Sequence, residues 1–235
     1  MTKEKLKVID SETLVDMRLP PQKFCVQTLL PYGMSILGGS SKIGKSWLVL
    51  DLCIRVAKGE PFWNFPTTKG TTLYLCLEDT FSRIQDRLLR ITDEWSDNAF
   101  FAVASKTLAD GLCDQIRDFV KEHPDTVLVA IDTFQIVRNG GVDTSYGNDY
   151  DEIRQMKQLA DELNISLLLV HHLRKQGDSD PLNKLSGTTG IVGAVDSVFV
   201  LDKSKRSENL ATLVCTGRDI EHRQLEIKFS NKDFI

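Results

Sequence analysis

Between the apolar stretches "MSIL" and "WLVLDLCIRVA" the chain passes through "GGSSKIGKS", Gly38 to Ser46, where three glycines, three serines and two lysines crowd nine positions. So polar and flexible a run inside apolar sequence belongs where the chain turns sharply between two buried elements. Gly39 to Ser46 satisfies G-x-x-x-x-G-K-[ST], with strand-like sequence before it and helix-like sequence after it. In that setting glycines let consecutive backbone N–H groups curl around an anion, and the positive end of the following helix dipole faces the same point. The segment reads as a phosphate cradle made of Gly39, Ser40, Ser41, Lys42, Ile43, Gly44, Lys45, Ser46 and Trp47.

The remainder alternates in the same way. Short apolar runs rich in β-branched residues predict strands at "MSILG", "TTLYLCL", "AFFAVAS", "TVLVAID", "ISLLLVHH" and "SVFVLD". Patterns of 3.6 period predict helices over Lys45 to Lys58, Thr80 to Glu94, Cys113 to His123 and Asp149 to Leu163. Alternating elements of this kind specify an α/β fold with a mainly parallel central β-sheet flanked by helices. "ATLVCTGRD" and "QLEIKFS" alternate instead as a C-terminal β-hairpin. Residues 1–30, with Pro20 and Pro21, read as an N-terminal arm, and 31–235 as the core domain. Two polar segments, Arg138 to Asp149 and Arg174 to Gly190, each follow a core strand and are candidate functional loops. "FWNF", Phe62 to Phe65, reads as core or edge packing.

Composition excludes several classes. Twenty-nine Lys plus Arg against 33 Asp plus Glu leave a net charge of −4, so any basic surface for nucleic acid has to be local. The five cysteines are odd in number, widely spaced and set in apolar runs, which predicts reduced core thiols. "MTKEKLKVID" lacks an apolar h-region and no apolar run nears the roughly 18 residues needed to span a bilayer, so a cytoplasmic protein without a membrane partner is expected.

The cradle implies a nucleoside triphosphate, and that chemistry needs partners. Lys45 would reach the β and γ phosphates, and the Ser46 hydroxyl would bind Mg²⁺. Asp132, closing the apolar run "TVLVAID", is the second metal-side group. "TTLYLCLED" delivers Glu78 and Asp79 to the same edge; Glu78 is assigned as the base that polarises water, with Asp79 an alternative or a helix cap. His171 and His172 are adjacent on a strand and so point to opposite faces, which makes them a poor metal chelate and leaves one of them to touch the γ-phosphate.

The ordered set "LYLCLEDTFSRIQDRL", "VLVAIDTFQ", "LLLVHHLRK", "LSGTTGIVGAVDSVFVL" and "TGRD" following the cradle resembles the RepA-type hexameric replicative helicases of plasmids, phages and mobile elements, in the RecA-like group that also holds DnaB-type helicases. The resemblance implies a RecA-like P-loop ATPase using ATP and Mg²⁺, assembled as a homo-oligomeric, hexameric ring that acts on single-stranded DNA with a separate initiator or loader. It implies that Lys45 and Ser46 hold phosphates and metal, Glu78 is the catalytic base, Asp132 the Walker B acid and His172 the γ-phosphate sensor. Arg218 falls where such helicases place an arginine finger for the neighbouring subunit, although Thr216 stands where DnaB-type chains often have lysine. The arm would pack on a neighbour. Channel-facing loops would bring Arg138, Arg174, Lys175 and Lys184 to the DNA. Two other readings stay open: a RecA-like ATP-dependent DNA-binding switch that does not unwind, and a P-loop kinase, which lacks an arginine-rich lid in this sequence.

Overall fold

The computed structural model describes residues 6–138, 146–173, 193–203 and 209–229. In chain order the elements are α1 (Ser11–Asp16), β1 (Phe24–Val26), β2 (Leu30–Pro31), β3 (Gly33–Gly39), α2 (Lys45–Lys58), β4 (Thr71–Cys76), α3 (Phe81–Ile91), β5 (Ala99–Ala102), α4 (Leu112–Glu122), β6 (Thr126–Asp132), the single turn α5 (Phe134–Val137), α6 (Tyr146–Leu163), β7 (Ser166–His172), β8 (Ser197–Asp202), β9 (Leu210–Gly217) and β10 (Arg223–Lys228). Every predicted strand and helix is present within a few residues, and the C-terminal hairpin is β9–β10.

Eight strands form one sheet in the order β10-β9-β8-β3-β7-β6-β4-β5. The six from β8 to β5 are parallel; β9 and β10 continue the β8 edge antiparallel. Every residue of β3, β4 and β6 is buried, as is β7 up to His171, which is expected of strands covered on both faces. Alternation sorts their side chains. Leu128 and Ala130 of β6, Leu168 and Val170 of β7 and Tyr74 of β4 pack with Leu48, Val49, Leu52 and Val56 of α2 and Ile84 of α3. Val129, Ile131, Leu167 and Leu169 pack on the other face with Ile116 of α4 and Ile153, Met156 and Leu159 of α6.

The chain leaves β3 through α2 and enters β4, which lies beyond β7 and β6, whereas β8 lies on the other side of β3. Connections that diverge in this way open a crevice at the carboxyl end of β3. α2 ends at Gly59, whose left-handed backbone lets its N–H reach the Arg55 and Val56 carbonyls.

The sequence pattern misses the small elements before β3. Cys25, Val26, Leu29 and Leu30 are buried in the main core, so the folded body begins near Lys23, ahead of the boundary expected at residue 31. Strands of three and two residues are too short to carry a period, and they are held by Thr68 N–H on the Cys25 carbonyl (2.8 Å) and Gln27 N–H on the Pro66 carbonyl (2.9 Å). Ahead of them α1 is capped by Asp10, which accepts from the Thr13 N–H, yet it buries nothing. Phe62 of "FWNF" is 3% exposed and part of the core, as packing predicts. The five cysteines are free and buried, and burial pushes the Cys25 and Cys215 thiols up to about 12. Among the described residues no helix is long and apolar enough to cross a membrane.

This division between core and arm predicts two outcomes in denaturant unfolding of the dilute chain. Leu128→Ala, at a fully buried site, is expected to cost about 2–5 kcal/mol. Removing residues 1–20, whose described members are all exposed, is expected to change stability by no more than about 0.5 kcal/mol.

Candidate functional site

The loop between β3 and α2 is shaped by two glycines. Gly44 adopts φ +108° at the start of α2, a conformation closed to most side chains. At Gly39 a Cβ would come within 2.6 Å of the Ile43 side chain and 2.9 Å of the Leu201 carbonyl, so only a bare backbone fits. Lys45 is 4% exposed and folds back on this loop, its ammonium donating to the carbonyls of Gly39 (2.8 Å) and Ser40 (2.9 Å). Burial pushes its pKa down to about 8 against the opposing pull of the Asp132 and Glu78 carboxylates.

Strand parity decides what joins Lys45. His172 continues the Leu168 and Val170 side of β7 and pairs in register with Gly39; His171 lies on the other side and is buried. His172 Nδ1 is 3.2 Å from the Lys45 ammonium, and its Nε2 is 3.6 Å from Glu78 Oε2. An ammonium can only donate, so Nδ1 is the acceptor and Nε2 carries the proton toward Glu78.

Asp132 continues the Leu128 and Ala130 side of β6 and is 5% exposed. Its Oδ2 accepts from the Tyr74 hydroxyl at 2.8 Å. Burial, with the Asp132 charge beside it, pushes the Tyr74 pKa well up, which keeps the hydroxyl a donor. Past β4, Glu78 is half-exposed and accepts from the Thr133 hydroxyl at 3.3 Å. Asp79 is 9% exposed and clamped by Arg83 (2.8 Å) and Arg87, while the Thr80 side chain caps α3. Of the two adjacent carboxylates, Asp79 is therefore committed to guanidinium partners and is not the helix cap.

Lys45, His172, Glu78 and Asp79 line a cleft of about 590 Å³ with Ser41, Lys42, Ile43, Gly44, Ser46, Trp47, Arg83, Arg87, Lys203 and Phe229, and Asp132, at the end of β6, is close enough for its charge to act on Lys45. The Arg87 guanidinium lies 5.5 Å from the Trp47 ring centre, and the Lys203 ammonium 3.5 Å from that of Phe229. The Phe229 ring fits flush on Gly44, where a Cβ would meet it at 2.3 Å. Sequence reasoning misses Tyr74, Thr133, Arg83, Arg87, Lys203 and Phe229. Asp79, Arg83 and Arg87 recur at helical spacing and were findable; Lys203 and Phe229 reach the cleft only because β8 borders β3 and β10 follows β9.

Ser46 and Asp132 suit a small hard cation. Among the described residues no three His, Cys, Asp or Glu side chains gather into a cage, and Mg²⁺ ordinarily takes one or two protein groups with phosphate and water supplying the rest. Such an ion, beside the glycine cradle, would neutralise charge on bound phosphates.

Other predicted residues lie elsewhere. Arg218 follows β9 at the amino-terminal end of β8, one strand length from the cleft; it is 63% exposed, with its guanidinium 3.7 Å from Asp196. Glu221, three residues on, pairs with Arg223 at 3.2 Å. Arg138 is not displayed on an open surface: it is 12% exposed, bonded to Glu152 of α6 at 2.7 Å and set over the Phe134 ring. Arg174, Lys175 and Lys184 lie outside the described residues.

A family model described as an AAA domain matches residues 2–178. The DNA repair protein RadA of Streptococcus pyogenes serotype M1 is 27% identical over 175 residues, 74% of this chain and 34% of that protein. RadA of Streptococcus pneumoniae strain R6 is 25% identical over 176 residues, 74% of this chain and 36% of that protein. The chain thus spans about a third of the length of the curated relatives it matches. Among solved structures, an isolated ATPase domain aligns with a TM-score of 0.71 and 15% identity over 87% of this chain and 84% of that one. A DnaB-like replicative helicase, described with its primase interactions, aligns with a TM-score of 0.71 and 15% identity over 87% of this chain and 57% of that one. The fold is that of RecA-like ATPase domains.

The buried Lys45 ammonium has a measurable signature. Its pKa is about 8 in the folded chain against 10.5 ordinarily, so between these values the unfolded chain holds more protons and stability rises with pH. Compared with Lys45→Met, the nucleotide-free parent is expected to gain up to roughly 3 kcal/mol between pH 8 and 10.5, read by urea unfolding. Equal pH slopes in the two chains would contradict it.

Proposed function

Because this chain belongs to the AAA-domain family, matched over residues 2–178, we propose that it is an ATP-hydrolysing motor of the RepA helicase type, working on single-stranded DNA from a ring of identical subunits. The observation that carries the reading is that Lys45, Glu78 and His172 meet with the Gly44 turn in one cleft at the carboxyl edge of the sheet, with Asp132 beside them, joined through the Tyr74 hydroxyl to the Ser46 turn of α2. Binding of the triphosphate exchanges the Gly39 and Ser40 carbonyls for phosphate oxygens at Lys45, while backbone N–H groups of Gly39 to Ser46 cradle them. Ser46 and Asp132 hold Mg²⁺, which supplies charge stabilisation. Glu78, open to the cleft, takes the proton of the attacking water. His172, lying between Lys45 and Glu78, reports the terminal phosphate to the residues that follow β7.

Arg218 is exposed at the far edge and so serves a neighbouring subunit's nucleotide rather than its own. The exposed apolar residues of the arm, Leu6, Val8, Leu14, Val15 and Leu19 among them, support packing on a second copy. With Arg138 tied to Glu152, DNA contact falls to Arg174, Lys175 and Lys184. Similarity to RadA favours a second reading, a DNA-associated RecA-like ATPase that hydrolyses without unwinding.

Two measurements test this. Hydrolysis per subunit is expected to rise with protein concentration and with added single-stranded DNA; a flat rate indifferent to both would overturn the motor. Glu78→Gln is expected to keep ATP binding while losing about 10²-fold or more in turnover, whereas Lys45→Ala loses both. Equal loss of binding in the two variants would remove the division of labour.

A further inference from the structure

We propose that Tyr74 is a positioning residue that fixes the metal-side carboxylate of Asp132 against the first turn of α2. The inference rests on the nucleotide reading above and adds a residue to its machinery. Tyr74 is 2% exposed, and a buried phenol has to find an acceptor. It finds Asp132 Oδ2 at 2.8 Å, with the Ser46 carbonyl oxygen 3.4 Å away.

The backbone explains the reach. Tyr74 pairs in register with Ala130, and Cys76 with Asp132, so Asp132 stands two residues farther along the same face. A tyrosine is long enough to span that diagonal and leucine is not. Its hydroxyl therefore arrives at the seam between β6 and α2, the two elements that carry Asp132 and Ser46. One carboxylate oxygen is held by the phenol, which stops the carboxylate turning and leaves Oδ1 as the oxygen that would be offered to a cation. The ring has a separate task, packing in the core edge-on to Phe101 at 6.4 Å between centres. Packing would be served equally by phenylalanine, so the hydroxyl's role can be isolated.

Thr72 supplies the comparison. It lies on the same strand and face, is fully buried, and its hydroxyl reaches the Cys53 carbonyl of α2 at 3.3 Å without touching Asp132. Loss of either hydroxyl is expected to lower stability, but only Tyr74 acts on the metal.

The test is binding of a fluorescent non-hydrolysable ATP analogue to the full chain, titrated with Mg²⁺ and repeated in EDTA. Tyr74→Phe is expected to raise the half-saturating Mg²⁺ concentration on the order of 10-fold with binding in EDTA unchanged; Thr72→Val should move neither. In an Asp132→Asn background Tyr74→Phe should add nothing. An unchanged Mg²⁺ requirement in Tyr74→Phe, or an equal weakening in EDTA, would overturn the inference and leave the ATPase reading standing. A parent chain whose binding ignores Mg²⁺ would overturn both.

Discussion

The cleft hangs from β3, a strand bonded on both edges, by β7 and β8, and covered on both faces. Such a strand cannot shift by a residue without turning its core side chains into the wrong layer. The loop that follows is thereby presented at a fixed height, with His172 of β7 and Leu201 of β8 level with Gly39. Each neighbour then contributes what its own end carries: His172 from β7, Lys203 after β8 and, one strand beyond β7, Asp132 from β6.

Within that frame the electrostatics follow from burying an ammonium. A desolvated charge is costly unless it is bonded, and Lys45 meets the requirement with two loop carbonyls and a histidine nitrogen. The carboxylates of Asp132 and Glu78 favour its charged form, though desolvation prevails. The resting arrangement thus holds Lys45 in place with groups that phosphate oxygens can replace. Asp79 is kept out of this exchange by Arg83 and Arg87, which leaves Glu78 as the open carboxylate.

Two features are exposed away from the cleft. The arm exposes Leu6, Val8 and Val15 at 86%, 76% and 84%, and Arg218 stands at the edge of the sheet opposite the cleft. Both are consistent with the proposed ring, in which one subunit's far edge faces another's nucleotide. Arg138 points the other way: sequence position suggested a DNA contact, whereas a buried ion pair with Glu152 ties the loop's start to α6.

Local chemistry was legible in the sequence. The glycine and lysine spacing of residues 39–46, the apolar runs ending in Asp132, Glu78 and the two histidines, and the 3.6 period of the helices depend only on neighbours along the chain. Parity put His171 and His172 on opposite faces, since a strand alternates wherever it lies, but which of them meets Lys45 follows from the pairing of β7 with β3. The short strands before β3 were invisible because two or three residues hold no period, and their stability comes from contacts with Pro66 and Thr68. The Tyr74–Asp132 bond, the Arg138–Glu152 pair and the arrival of Lys203 and Phe229 at the cleft were decided by the tertiary structure alone. Each depends on which strands lie side by side and at what register, and pairing between distant segments is set by the packing of the whole sheet rather than by any stretch of it.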